Sequence, residues 1–251
     1  MKLLIFILCI LNLLHADPFY KSKETPDFCQ ADQEYGILPK SGTSYCAPVS
    51  VSNLLIFLNK NGFYKFTNTK TPTKNNQFQL IKELGQYMKT DSVGTKPKNV
   101  VMGLEHFVRD KGYTIQIETM GWRSKKNRIG KIPNLNWIKE ASIKNSNVIL
   151  NIGWYTYDKS LNTYFRTNGH YVSVVGFDDD FLLVHDPAKR DGLSKNTLQC
   201  SLSNLLSHST LKLKNGKTTS SKGYFALHCL KIKKGNNVAI IDGAIAFSIE
   251  K

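Results

Sequence analysis

Cys46 is the residue whose type and position best suit nucleophilic chemistry. Apolar residues recur at helical spacing after it, Pro48 fits a first helical turn, and Asn61-Gly62 ends the pattern, which predicts a helix from about 47 to 60. Cys46 then lies at the amino end of this helix. Free backbone N–H groups and the positive end of the helix dipole favour a thiolate there. Such a thiolate can attack a carbonyl carbon if a base, and a group that orients the base, lie nearby.

A hairpin further along the chain supplies the base and the orienting group. Residues 170–177 and 181–185 are strand-like, and three aspartates separate them. If these aspartates are the loop, the numbers of paired residues sum to 358, and Asp186 lies one diagonal step from His170 on the same face. A two-residue loop would turn Asp186 to the opposite face. The prediction of a Cys46, His170 and Asp186 triad therefore depends on the register of this hairpin.

The same hairpin holds the one compact group of metal-ligating residue types, which is His170, His185 and Asp186. Alternation along the strand directs His185 away from Asp186, so we expect no metal site. The sequence has no glycine-rich phosphate loop, no internal repeat and no heptad array. We therefore expect neither a metal nor a cofactor.

Four short motifs together resemble the papain-like cysteine peptidases, and more narrowly the branch of bacteriocin-processing, double-glycine leader peptidases. The resemblance covers roughly residues 24 to 190. It implies an α+β fold in which the helix that bears the nucleophile packs on an antiparallel sheet. The motifs are Pro26-Asp27-Phe28-Cys29-Gln30, Tyr45-Cys46-Ala47-Pro48-Val49-Ser50, Gly169-His170-Tyr171-Val172-Ser173-Val174-Val175-Gly176-Phe177 and Asp186-Pro187-Ala188.

The resemblance also implies a role for each site residue. Cys46 would be the nucleophile, His170 the general base and acid, and Asp186 the orienting group. Gln30 would be an oxyanion donor beside the Cys46 backbone N–H, although it lies 16 residues before Cys46, a longer gap than usual, and Gln33 is an alternative. The residue after Cys46 is alanine, where glycine is common in the family. No transporter segments follow the motifs, so the leader-processing substrate is not carried over.

The remaining elements indicate how these residues are positioned. Further helices are expected at about 79–88, 99–111 and 134–144, with strands at 113–118, 148–155, 223–232, 238–241 and 244–249. Helices come first and hairpin-linked strands later. This order is typical of an α+β domain built on an antiparallel sheet.

The amino terminus has the pattern of a secretory signal peptide. Met1-Lys2 precedes an apolar run from Leu3 to Leu14, and His15-Ala16 places a small residue at a cleavage point. A run of 12 residues is too short to cross a bilayer as a helix. We expect a signal peptide over 1–16, a secreted or periplasmic protein, and no stable membrane span. The rest is expected to be a single domain over 17–251, with a core of about 24–190 and carboxyl-terminal strands over 191–251.

Four cysteines lie outside the signal peptide, and an exported protein usually pairs its cysteines. Cys46 is set aside for chemistry. Cys200 and Cys229 both lie in the carboxyl-terminal third of the chain, and they form the preferred disulfide. Cys29 is then left unpaired or with a partner that the sequence does not identify.

The chain is strongly basic, with 34 Lys and Arg against 19 Asp and Glu and a formal net charge of +15. A nucleic-acid-binding protein gathers such residues against phosphates, whereas here they are scattered and the densest runs are 123–128 and 231–234. We therefore expect a basic exported surface and no nucleic-acid partner. The sequence leaves the oligomeric state open.

The leading hypothesis is an exported thiol hydrolase that cleaves an amide or peptide bond through a thioester on Cys46. Its expected substrate is a peptide or protein, cell-wall peptide included. Three alternatives stay open. One is an acyl transferase or transpeptidase that uses the same site, and another is a papain-like binding module without turnover. The third, which the scattered charge disfavours, is a polycation that acts on nucleic acid or anionic lipid.

Overall fold

The computed structural model describes residues 19–21, 23–123, 125–143, 147–178, 181–188, 197–232, 235 and 237–251, so the predicted signal peptide over 1–16 lies outside the described residues. The helices are α1 (Cys46–Lys60), α2 (Lys74–Tyr87), α3 (Pro97–Asp110) and α4 (Leu135–Ile143), with 3-10 turns at Pro39–Gly42 and Tyr64–Phe66. The strands are β1 (Phe19–Tyr20), β2 (Thr114–Gly121), β3 (Arg128–Gly130), β4 (Asn147–Asp158), β5 (Thr163–Phe177), β6 (Phe181–His185), β7 (Leu198–Asn204), β8 (Thr210–Lys212), β9 (Thr218–Ser220), β10 (Phe225–His228) and β11 (Val238–Glu250).

The strands form one mixed sheet in which most neighbours are antiparallel. The long strand β4 pairs with β5 on one side and with β11 on the other, which places these three strands at the centre. In the described part of the chain, β2 with β3 and β5 with β8 are the parallel pairs. The predicted α+β class, a helix packed on a largely antiparallel sheet, is confirmed. Among the described residues, no helix is long and apolar enough to cross a membrane.

Helix α1 is fixed to strand β5 by polar and apolar contacts. The Ser50 hydroxyl donates to the Tyr171 carbonyl at 3.0 Å, and the Ser173 hydroxyl donates to the Ser50 carbonyl at 2.8 Å. Both serines are fully buried, so each bond satisfies a group that water cannot reach. Val51 and Leu54 of α1 belong to the same buried cluster as Tyr171. The strand that carries His170 is thereby held against the helix that begins at Cys46.

The opposite face of the sheet is also covered. Val172 and Val174 of β5 alternate with the residues that meet α1, and they pack with Val184 of β6 and Ile138 of α4 in a second buried cluster. A strand buried on both faces is rich in apolar residues, which explains the nearly unbroken apolar pattern at the end of β5, over 171–177.

The register between β5 and β6 agrees with the prediction near the candidate site. Ser173 pairs with His185 and Val174 with Val184, so the residue numbers sum to 358. Beyond these pairs Val175 is an extra residue on β5, and the register shifts by one. Such a β-bulge places two residues of one strand against one residue of its partner.

At the tip of the hairpin the predicted register is wrong. Phe177 pairs with Leu182 instead of Phe181. The cause is the turn, which is closed between Asp178 and Phe181. The Asp178 N–H donates to the Phe181 carbonyl at 3.1 Å, and the Phe181 N–H donates to Asp178 Oδ1 at 2.9 Å. The bulge at Val175 offsets this shift and returns the end of β6 to the predicted face.

The carboxyl-terminal third differs more from the prediction. The strand predicted over 223–232 is limited to β10, and the two predicted over 238–241 and 244–249 are the single strand β11, with a register shift at Asp242. Strands β7 to β9 were not predicted, because their side chains are largely polar and only partly buried. The Cys200–Cys229 disulfide is confirmed, and it joins β7 to the end of β10.

Candidate active site

Strands β5 and β6 bring His170 and Asp186 into direct contact. His170 Nε2 lies 2.6 Å from Asp186 Oδ1, and both side chains are buried. The Ala188 backbone N–H donates to the same carboxylate oxygen at 2.9 Å, which fixes its orientation. Since Nε2 faces the carboxylate, Nδ1 is the imidazole nitrogen left for a second partner.

That second partner is Cys46, the first residue of α1, which is buried and carries a free thiol. Burial alone would lower the pKa of His170. The charge and hydrogen bond of Asp186, followed by the hydrogen bond and charge of Cys46, instead raise this pKa to about 10. The three side chains predicted for the triad therefore lie together.

The raised pKa keeps the imidazole protonated at neutral pH. In the unfolded chain a histidine has a pKa of about 6.5, so protonation favours the folded state. This stabilising contribution is complete below about pH 6.5 and is lost as the pH rises through about 10. An imidazolium between a carboxylate and a thiol can stabilise a thiolate and can later donate a proton.

Trp154 covers the imidazole on the β4 side. The two rings are stacked with centroids 6.0 Å apart, and the indole is buried. This contact follows from the register, because Ile152 lies opposite His170 and Trp154 is the next residue of β4 on that face. Trp154 therefore packs against the candidate base and excludes water from it.

Gln30 lies where the chain segments around the site meet. Its N–H donates to the Pro187 carbonyl at 2.8 Å, directly after Asp186. The Gln30 carbonyl lies against Gly42, in the loop that leads to Cys46. A Cβ on Gly42 would collide with this carbonyl. The Gln30 side-chain oxygen is buried without a hydrogen-bond partner among the described residues. Gln33, the alternative, is exposed in a turn, so the geometry favours Gln30.

A buried charge network next to the site was not foreseen from the sequence. Asp242 of β11 is fully buried and accepts from Arg166 Nε at 2.6 Å, the Tyr155 hydroxyl at 2.5 Å and Trp122 Nε1 at 3.3 Å. The Arg166 guanidinium lies over Gly169, where a Cβ would collide with it. The network therefore contacts Gly169, the residue directly before His170. The sequence signal was a lone aspartate within the apolar run 238–249.

His185 and Cys29 lie apart from this arrangement. His185 contacts the Pro26 carbonyl through Nδ1 at 3.1 Å and the Thr197 hydroxyl through Nε2 at 3.0 Å. It lines, with Cys29, a cavity of about 420 Å³ that neither Cys46 nor His170 lines. In the described part of the chain, no three His, Cys, Asp or Glu side chains are arranged to hold a metal ion.

Replacing Asp186 with asparagine is expected to shift the alkaline limit of Cys46 reactivity towards neutral pH. Without the carboxylate, burial dominates and the pKa of His170 falls from about 10. We expect about a tenfold lower rate of inactivation by a peptidyl vinyl sulfone at pH 8, because each pKa unit corresponds to about a factor of ten. Asp110→Asn, at the exposed end of α3, is the matched control. An unchanged pH profile in Asp186→Asn would contradict the assigned coupling.

Comparisons with known proteins find a similar family and a similar structure. The sequence profile of the Peptidase_C39 like family matches residues 23–214. Among solved structures, a C39-like peptidase from Bacillus anthracis is similar to the chain, with 9% identity, a TM-score of 0.43, and coverage of 92% of this chain and 97% of that one. No curated protein matches. The resemblance to papain-like cysteine peptidases is confirmed by the profile, which spans more than half of the chain and includes Cys46, His170 and Asp186. The chain belongs to the Peptidase_C39 like family.

Proposed function

We propose that this protein is an exported thiol hydrolase that cleaves an amide or peptide bond with Cys46, His170 and Asp186. The observation that carries the proposal is the buried contact of 2.6 Å between His170 and Asp186, with a pKa of His170 raised to about 10 beside a free thiol. A protonated imidazole beside a cysteine at a helix amino end is the arrangement that makes a thiolate available at neutral pH.

The reaction proceeds in two steps. The Cys46 thiolate attacks the carbonyl carbon, and His170 donates its proton to the leaving amine as the C–N bond breaks. A water molecule then attacks the thioester, His170 accepts its proton, and the acid product leaves with the thiolate restored. Asp186 holds the imidazole in orientation and balances its charge in both steps.

Oxyanion stabilisation is assigned to Gln30 and the Cys46 backbone N–H. A tetrahedral intermediate needs donors aimed at its oxygen, and each is worth about 3 kcal/mol in a water-excluded site. The anchoring of Gln30 to Pro187 and to the loop before Cys46 supports this role. Its amide nitrogen is the donor in the proposal.

Export rests on the predicted signal peptide over 1–16 and is supported by the Cys200–Cys229 disulfide. Disulfides persist in compartments outside the cytosol, the periplasm included, because glutathione and thioredoxin do not reduce them there. The proposed substrate is a peptide or protein in that compartment, cell-wall peptide included.

The test compares inactivation by a peptidyl vinyl sulfone in the wild type and in His170→Ala. We expect the inactivation rate of His170→Ala at pH 7 to be lower by at least about a hundredfold, because the thiolate loses its imidazolium partner. His185→Ala is the matched control, since it removes another buried histidine that lies outside the site. Equal rates in the wild type and in His170→Ala would contradict the proposal and would favour a binding module without turnover.

A further inference from the structure

The network around Asp242 holds more positive than negative charge. Arg166 and Arg123 both lie near the Asp242 carboxylate, and Arg166 occupies the short contact at 2.6 Å. Arg123 is held only at 4.0 Å from the same carboxylate. One carboxylate thus faces two guanidinium groups. The pKa of Arg123 is lowered by burial and by the charge of Arg166, as expected for a cation that is incompletely neutralised.

Arg123 has unused hydrogen-bonding capacity. A guanidinium has five N–H donors, and among the described residues the hydrogen bond of Arg123 goes from Nη1 to Asn151 Oδ1 at 3.1 Å. Its side chain is 24% exposed, so it is neither fully packed nor fully hydrated. It lines a narrow cavity of about 20 Å³ together with Pro97, Asn151 and Asp242. A cavity of this size admits one water-sized group, such as a carboxylate oxygen.

The cavity lies beside the strand that carries His170, because its lining residue Asn151 pairs with that strand. Tyr171, the residue after His170, is buried with its hydroxyl donating to the Thr95 carbonyl at 3.3 Å. Asn151, which accepts from Arg123, pairs with Tyr171 between β4 and β5, and the charges of Arg123 and Cys46 both act on the Tyr171 hydroxyl. The segment just before Pro97 also meets the loop of Cys46, since Gly94 lies next to the Ser44 carbonyl. A substrate bound at Cys46 can therefore extend towards Arg123.

A basic rim surrounds Arg123 on the surface. Lys217 donates to the Trp122 carbonyl at 2.8 Å, and its ammonium lies over the Trp122 ring. Burial lowers the pKa of Lys217, and so do the positive charges of its neighbours. These neighbours are Arg128, Lys125, Lys131 and Arg123. The fold thus brings Lys217 to Lys131 and to the run 123–128, which is one of the two densest basic runs of the sequence.

We propose that Arg123 is the centre of a substrate-binding subsite that takes the carboxylate of an acidic residue near the scissile bond. The inference rests on the proposed function and adds the substrate class, an acidic peptide. The single recessed guanidinium and the narrow cavity fit one carboxylate oxygen, and the basic rim attracts an acidic peptide to it. A polynucleotide would need a stripe of basic residues along its phosphates instead.

The test uses two peptidyl vinyl sulfone pools that differ only in Glu or Gln at the positions next to the reactive group. We expect the wild type to react about tenfold faster with the Glu pool, because a charge-assisted hydrogen bond contributes about this factor. Arg123→Gln is expected to lose this preference. The readout is the ratio of the rates with the two pools, and the rate with iodoacetamide, a small neutral reagent, reports any general change in Cys46 reactivity. Arg123→Lys should keep part of the preference. Arg109→Gln, on the exposed side of α3, is the matched control.

The same preference for Glu in the wild type and in Arg123→Gln would overturn the inference, as would a wild type without preference. If Arg123→Gln instead weakened retention of a single-stranded DNA oligomer and left the Glu to Gln ratio unchanged, the rim would serve a polyanion and the inference would be wrong. Failure of Cys46 to react with both pools and with iodoacetamide would contradict the proposed function, and this inference with it.

Discussion

Replacing Cys46 with alanine is expected to abolish hydrolysis of a peptide pool, with a loss of at least about ten-thousandfold. The thiolate forms the covalent intermediate, and removing the nucleophile of such a catalytic group costs about as much as removing the whole group. The measurement is mass spectrometry of new peptide ends in a casein digest incubated with each protein. Because Cys46 is the first residue of α1 and the rest of this helix stays packed, the variant should fold normally.

Cys29→Ala is the matched control for this experiment, since it removes the other free thiol of the described residues. It is expected to keep its activity, because Cys29 contacts the Ala188 carbonyl at 3.7 Å and lies outside the imidazole contact. Adding a primary amine to the wild-type reaction separates hydrolysis from acyl transfer, since a transferase would give amide products instead of acids. Persistent cleavage in Cys46→Ala would show that another residue is the nucleophile.

Replacing Asp242 with asparagine is expected to lower the free energy of unfolding by about 3–5 kcal/mol. The substitution leaves Arg166, whose side chain is 10% exposed, without its carboxylate partner in a buried site. An uncompensated buried charge costs more than the ion pair contributes, which is why removing one partner is so destabilising. Chemical denaturation followed by tryptophan fluorescence measures the effect, because Trp122 donates to this carboxylate.

Glu250→Gln is the matched control, since it makes the same chemical change at the exposed end of β11. It should change the unfolding free energy by less than about 0.5 kcal/mol. Arg166→Met combined with Asp242→Asn should be less destabilising than the sum of the two single changes, because the double variant removes the Arg166 cation together with its carboxylate partner. Additive effects, or an Asp242→Asn variant as stable as the control, would refute the network as described.

Local patterns predicted the nucleophile helix well. The apolar spacing after Cys46 and the stop at Asn61-Gly62 lie within one element, and α1 begins and ends within a residue of the prediction. The contact between His170 and Asp186 was harder to predict, because it depends on pairing between two strands. The predicted contact is present although the predicted turn is wrong, because the bulge at Val175 offsets the register shift that starts at the turn.

Contacts between distant segments lay beyond the sequence patterns. Asp242 meets Arg166 and Arg123 only because β11 pairs with β4 and carries a bulge that redirects its side chain. The basic rim likewise needs Lys217 to approach Trp122. Neither contact has a local signature, since the partners come from distant parts of the chain. The sequence leaves the oxyanion donor open for the same reason, and the buried side-chain oxygen of Gln30 favours this residue over the exposed Gln33.

The most direct test of the central claim is to map the residue that a peptidyl vinyl sulfone modifies in the oxidised, full-length protein. Digestion and tandem mass spectrometry locate the adduct, and the free thiols of the described residues are Cys46 and Cys29. The account predicts one adduct per chain, on Cys46, formed at pH 7 and absent from His170→Ala over the same time. An adduct on Cys29, equal modification of both thiols, or a Cys46 found in a disulfide would contradict it.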